Sequence, residues 1–173
     1  MKKSVLLLLI TFCQGCSAMK YQPTNKIIEL DRFMGTWFVQ KGRVTFLEKG
    51  AYNPTEIYKY NNDNDFIEIS FTFNKNSLEG KPKSIPQKGF VINEKTNAHW
   101  EVSPFWPIRF DYLVLDFAED YSWTAIGVPS GKYLWIMTRQ KHPDPNILEN
   151  VMQALKKTQY PIDNIESFEH SKD

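Results

Sequence analysis

The stretch "FDYLVLDFAEDYSWTAIGVPSGKYLWIMTR", Phe110–Arg139, decides the fold. Three β-like runs, "FDYLVLDF", "YSWTAIGV" and "YLWIMTR", follow one another with only "AED" and "PSGK" between them. No strand–helix–strand alternation occurs, which argues against a parallel sheet. In "YLWIMTR", Leu134 and Ile136 oppose Trp135 and Met137, so both faces of the strand are apolar. A strand covered on both sides needs an element packed outside the sheet. The next segment supplies it. Asp144 is a good N-cap and Pro145 a good first helical residue. Ile147, Leu148, Val151, Met152 and Leu155 then fall on one stripe, with Lys156 and Lys157 at the negative end of the helix dipole.

Upstream, the same grammar repeats. "GTWFVQK", "EIYKY", "FIEISFTF", "KGFVIN" and "AHWEVS" read as strands, giving about eight in all. In "FIEISFTF", Ile67, Ile69, Phe71 and Phe73 share one face while Glu68, Ser70 and Thr72 share the other. "NNDND" reads as a hairpin turn and "NKNSLEGKPKSIP" as a loop. Many short strands joined by short connections predict an all-β barrel or sandwich with one helix laid on its wall.

The chain has 173 residues, a length suited to one domain with one sizeable core. Its 12 Phe, 8 Tyr and 5 Trp are a heavy aromatic load, and its formal charge of +1 is scattered, with no basic stripe for nucleic acid. The first eighteen residues differ in kind. Lys2 and Lys3 precede the apolar "SVLLLLITF", a signal-peptide core too short to remain as a membrane span. Gly15-Cys16 resembles the end of a lipobox, where cleavage leaves a lipidated cysteine; the alternative is ordinary cleavage after Ala18. Cleavage before Cys16 removes Lys2 and Lys3 and takes the formal charge from +1 to −1. Both cysteines, Cys13 and Cys16, lie in this segment, so the domain has no disulfide and no thiol nucleophile. The organisation read from the sequence is an export segment at 1–18, a tether at 19–29, a domain at 30–168 and a tail at 169–173.

Three segments resemble lipocalins, most closely the bacterial outer-membrane lipoprotein type. "LDRFMGTWF" (Leu30–Phe38) is similar to the first family motif, "YLVLDFAEDYSWTAIGVPS" (Tyr112–Ser130) to the second and "YLWIMTR" (Tyr133–Arg139) to the third. The resemblance implies an eight-stranded antiparallel up-and-down barrel with one C-terminal α-helix packed outside. It also implies that Trp37 plugs the closed end, that Gly35 lets the incoming turn approach the wall, and that Arg139 lies across the indole. Asp120 and Tyr121 mark the turn of the second motif. Two positions depart from the pattern: Val39 stands where related proteins usually carry Glu, and Glu56 where alanine is common.

An eight-stranded barrel is just wide enough to hold one small ligand. Counting alternation from Trp37, Tyr121 and Arg139, together with the apolar strand faces, nominates Val39, Tyr58, Ile69, Phe71, Phe90, Trp100, Tyr112, Trp123 and Trp135 as lining. Val102, Val114, Ala125 and Met137 share their faces. Such a cavity suits a fatty acid, a lysophospholipid or a similar amphiphile. At ~0.8 kcal/mol per methylene, about fourteen methylenes contribute roughly 11 kcal/mol gross, before ordering costs. Lys41, Arg43 and Lys59 are candidate head-group partners at the mouth. Catalytic signals are scarce: no G-x-S-x-G elbow, no H-x-x-x-H, and three histidines far apart in sequence. The expectation is a non-enzymatic carrier, a monomer or weak homodimer, without cofactor or metal, held at the outer membrane by an N-terminal lipid. The alternative is an envelope interaction protein whose barrel is filled by its own side chains. The exposed-looking "SPFWPIR", with Phe105 and Trp106 between prolines, fits a lid or a contact patch.

Overall fold

The computed structural model describes residues 19–172. Cys16 and the rest of the export segment lie outside the described residues. The strands are β1 (Gly35–Arg43), β2 (Ala51–Asn61), β3 (Phe66–Lys75), β4 (Pro82–Val91), β5 (His99–Phe105), β6 (Ile108–Phe117), β7 (Trp123–Gly127) and β8 (Leu134–Thr138). Each pairs antiparallel with the next, and β1 pairs with both β8 and β2, closing an eight-stranded barrel. The β1–β2 seam runs only from Gly35 to Phe38. Above it a two-residue strand, β9 (Glu166–Ser167), takes over the edge of β1 at Lys41 and Gly42. The short helix α1 (Leu30–Phe33) leads into β1 at the base, and α2 (Pro145–Thr158) lies outside β6 and β7.

Alternation sorts the apolar side chains into two cores. Trp37, Val39, Tyr58, Ile69, Phe71, Trp100, Val114 and Met137 point inward with Ile28 and Phe33 beneath them. Leu113, Leu115, Trp123, Ala125, Leu134 and Ile136 point outward and are covered by Val151, Leu155 and Tyr160. The second core explains the two-faced strand. Asp144 caps α2 by accepting the Asn146 N–H at 2.9 Å, and Gln159 ends it in the left-handed region.

The direction of the strands gives the barrel a base and a mouth. The base is made by α1 and the connections β2–β3, β4–β5 and β6–β7. The mouth carries the connections β1–β2, β3–β4, β5–β6 and β7–β8. Three segments differ from their sequence reading. The segment read as a tether is packed from Tyr21: its N–H donates to the Pro129 carbonyl, that of Thr24 to Val114, and Ile28 is fully buried. Tyr21 and Ile28 are too sparse to read as a strand, yet the barrel offers them partners: Tyr21 packs on Tyr160 with ring centroids 4.8 Å apart and Ile28 joins the inner core, while Ile27 stays exposed. The tail is also seated, since His170 Nε2 lies 3.0 Å from the Val39 carbonyl and the Asn53 N–H donates to Glu169 O. Similarly, β4 begins at Pro82, inside the stretch read as a loop. Pro82 and Pro86 lack an N–H, but β4 still finds its register against β3, Pro86 opposite Ser70.

Candidate functional site

The floor of the barrel is built from the first motif. Gly35 adopts φ +95°, and a Cβ there would stand 3.3 Å from Arg139 Nη1. That backbone conformation and close approach are why the residue two before Trp37 has no side chain. Trp37 donates its indole N–H to the Phe33 carbonyl at 2.9 Å. The Arg139 guanidinium sits 3.7 Å from the Trp37 ring centroid and donates to the carbonyls of Thr36, Arg32 and Phe33. Burial lowers the Arg139 pKa, yet the group stays within its always-charged range. Tyr121, at φ +59°, accepts the Glu29 N–H on its hydroxyl and carries the Arg32 guanidinium 4.3 Å from its ring. Asp120 accepts the Ser122 N–H, and hydrogen bonding from the Ser122 hydroxyl and then its N–H holds the Asp120 carboxyl below its ordinary pKa. These residues close and brace the base.

Above the floor the inner wall grows more exposed toward the mouth. Trp37, Trp100 and Val114 are fully buried, Tyr112 and Trp135 keep partial exposure, and Ile108 and Phe110 at the rim are 54% and 56% exposed. Register places Phe110 on the same inner face as Tyr112, opposite Val102 and Trp100. The aromatics form a ladder. Trp100 stacks on Tyr112 at 5.6 Å and Tyr112 on Trp135 at 6.2 Å. The hydroxyls of Tyr58 and Tyr112 meet at 2.5 Å, and burial raises the pKa of both phenols well above the ordinary value.

Of the nine nominated lining residues, Val39, Tyr58, Ile69, Phe71, Trp100, Tyr112 and Trp135 converge on this interior. Phe90 and Trp123 do not. Phe90 lies on the outer face against Phe66, beneath the Arg109 guanidinium at 3.8 Å. The neighbouring inward residue is Gly89, where a Cβ would meet Ile69 Cδ1 at 3.1 Å, closer than ordinary packing, and Trp100 Cε3 at 3.7 Å. Trp123 and Ala125 belong to the outer core under α2, and Thr124 and Ile126 face the interior instead. Counting from Tyr121 fails because its left-handed backbone breaks the two-residue period before β7 begins.

The head-group candidates also scatter. Lys59 pairs across from Glu68 on the outer face near the base. Arg43 is consumed by carbonyls of Lys132, Gly131, Pro161 and Asp163. Lys41 opposes Ile136 and Ser167 beyond a register shift in β1.

Two carboxyls that alternation did not nominate stand inside. Glu56 lies between Trp37 and Phe71 on the inner face of β2. It is 8% exposed, and its Oε2 has no hydrogen-bond partner. Burial, helped by the nearby Glu48 charge, pushes its pKa well above the carboxylate range. Glu48 folds in from the β1–β2 connection, where Oε1 accepts the Trp135 indole N–H at 2.7 Å and Oε2 accepts from Thr45. Burial raises its pKa, against the pull of those bonds. The signal for Glu56 was present in the sequence as a departure at an alanine position; Glu48 gave none, because it sits in a connection.

A family model of a lipocalin-like domain matches residues 28–170. The outer membrane lipoprotein Blc of Vibrio cholerae is 24% identical over 159 residues, covering 90% of this chain and 91% of that protein. Temperature-induced lipocalin-1 of Arabidopsis thaliana is 25% identical over 147 residues, covering 81% and 78%. Among solved structures, insecticyanin from the tobacco hornworm Manduca sexta aligns with a TM-score of 0.67 at 18% identity, covering 88% of this chain and 85% of that one. Lobster apocrustacyanin A1 aligns at 0.65 and 9% identity, covering 83% and 81%, a likeness of fold.

Proposed function

The chain belongs to the lipocalin family, whose members bind small hydrophobic ligands, and we propose that it carries or stores a lipophilic molecule of the fatty acid or lysophospholipid class in the bacterial cell envelope. The observation that carries this reading is the gradient of the inner wall, from a sealed aromatic floor at Trp37 to partly exposed aromatics at Tyr112, Trp135 and Phe110. Val39, Tyr58, Ile69, Phe71, Trp100, Tyr112 and Trp135 are the proposed contacts. Binding and release are the whole mechanism: apolar area leaves water on entry, and no bond is made or broken.

The proposed location is the periplasmic face of the outer membrane, with Cys16 as the lipidated residue. The likeness to an outer membrane lipoprotein supports it. So does the path of the chain. Tyr21 is fixed at the β7–β8 connection, five residues after Cys16, a span of at most about 18 Å. An anchor there holds the barrel close to the bilayer.

Native mass spectrometry of the mature domain, as isolated and after delipidation, tests the carrier. A one-to-one adduct that is lost on delipidation and regained with one amphiphile class supports it. A folded barrel that takes up no amphiphile overturns it in favour of an envelope interaction protein.

A further inference from the structure

Glu56 is the feature of the interior that an apolar carrier does not need. A carboxyl on the inner face, with one oxygen sealed off and without a hydrogen-bond partner among the described residues, is costly to bury. Arg139 lies at the base, committed to Trp37 and three carbonyls. Glu48, the second interior carboxyl, sits at the mouth side and adds negative charge to the same space. Between them stand the stacked faces of Trp100, Tyr112 and Trp135. Aromatic rings and carboxyls gathered on one inner wall attract the same kind of group: an organic cation, held by the ring quadrupoles and neutralised by the carboxylate. An anionic head placed there would meet two carboxyls and the negative faces of three rings.

We propose that Glu56, with Glu48 toward the mouth and the Trp100–Tyr112–Trp135 ladder beside it, forms a site for a compact organic ammonium group. The lumen then selects amphiphiles bearing a cationic nitrogen over anionic ones of equal length. This inference rests on the lumen being the binding site and narrows the ligand class within it. The nitrogen reaches Glu56, and the apolar part extends past Tyr112 toward Ile108 and Phe110 at the rim. Wherever the Glu56 carboxyl carries a proton, that proton leaves to solvent as the ammonium enters, and no other bond changes.

Calorimetric titration of the delipidated domain with dodecyltrimethylammonium and with dodecanoate, below their micelle thresholds, tests this. The expected result is at least about tenfold tighter binding of the ammonium, reduced about tenfold or more by Glu56→Gln. Repeating the titration in buffers of different ionisation enthalpy reads the proton released on binding, which Glu56→Gln abolishes. If Glu56→Gln fails to fold by circular dichroism, the wild-type preference and its proton release decide alone. Equal or tighter binding of dodecanoate overturns the ammonium site and leaves the carrier standing. So does an ammonium affinity that Glu56→Gln leaves unchanged. Binding of neither probe overturns the ammonium site, and the native mass spectrometry then decides the carrier.

Discussion

At the scale of single residues, Trp37 joins the base of the barrel to itself. It touches Phe33 through both ring and N–H, and Arg139 covers its face while tying down the turn before it. Trp37→Ala is expected to destabilise the fold by about 3–5 kcal/mol, because a filled floor becomes a cavity. Arg139→Lys keeps the charge but loses the planar fork that reaches three carbonyls, and should cost about 1–3 kcal/mol. Urea unfolding of each variant measures both. Glu56 behaves oppositely. Folding raises its pKa, so the folded chain holds this proton more firmly than the unfolded chain. Stability therefore falls as pH climbs from the ordinary carboxylate value, about 4.3, toward the folded one. Glu48, Tyr58 and Tyr112 are the titratable groups that face it. Glu56→Gln is expected to match the wild type near pH ~4 and to exceed it by roughly 1–3 kcal/mol at pH ~7. Melting curves across that window check the sign. A wild type that stays as stable as the variant at neutral pH would mean the carboxyl has a partner in solution.

At the scale of elements, α2 and the lumen separate cleanly across β7 and β8. Val151 and Leu155 cover Trp123, Leu134 and Ile136 on the outside, while Trp135 and Met137 of the same strand face inward. Leu155→Ala should lower stability by about 2–5 kcal/mol, and Trp123→Ala by about 3–5 kcal/mol, with ligand affinity per folded molecule unchanged. Tyr112→Ala and Trp135→Ala should instead weaken binding, because their rings line the interior. Parallel denaturation and ligand titration of the four variants distinguish the two walls; loss of affinity in Trp123→Ala alone would contradict the outward placement. Asp144→Ala removes the helix cap and is expected to cost about 1 kcal/mol. This separation was half legible in the sequence. The two-faced "YLWIMTR" announced an outer partner, and the capped amphipathic stripe named it. The faces of β4 and β7 were not legible. A glycine carries no hydropathy to mark an inward position, and one left-handed residue at Tyr121 resets the alternation that parity counting depends on.

At the scale of the whole molecule, the barrel has a sealed base and a rim of exposed apolar side chains. Phe105 and Trp106 stand exposed at the β5–β6 tip, beside the inner-face Ile108 and Phe110. On the proposed carrier function, a ligand held in the barrel binds the folded state alone. At a free concentration about a hundredfold above Kd it should add about 2.7 kcal/mol to stability, read as a rise in Tm that delipidation reverses. In the intact cell, Cys16→Ser is expected to shift the protein from the membrane fraction to the soluble periplasm without altering the fold, and fractionation with immunodetection follows it. The sequence by itself determined the run of short strands and the outer helix, because these rest on local periodicity, capping and turn chemistry, and its motifs, through their family resemblance, pointed to the closed eight-stranded barrel and the Trp37 plug. Only the tertiary structure decided which carboxyls enter the lumen and which aromatics leave it. Those outcomes depend on closure of the barrel, which brings β1 and the β1–β2 connection against β2 and β8. Neighbours that far apart along the chain set the environment of Glu56 and Glu48, and no local pattern encodes it.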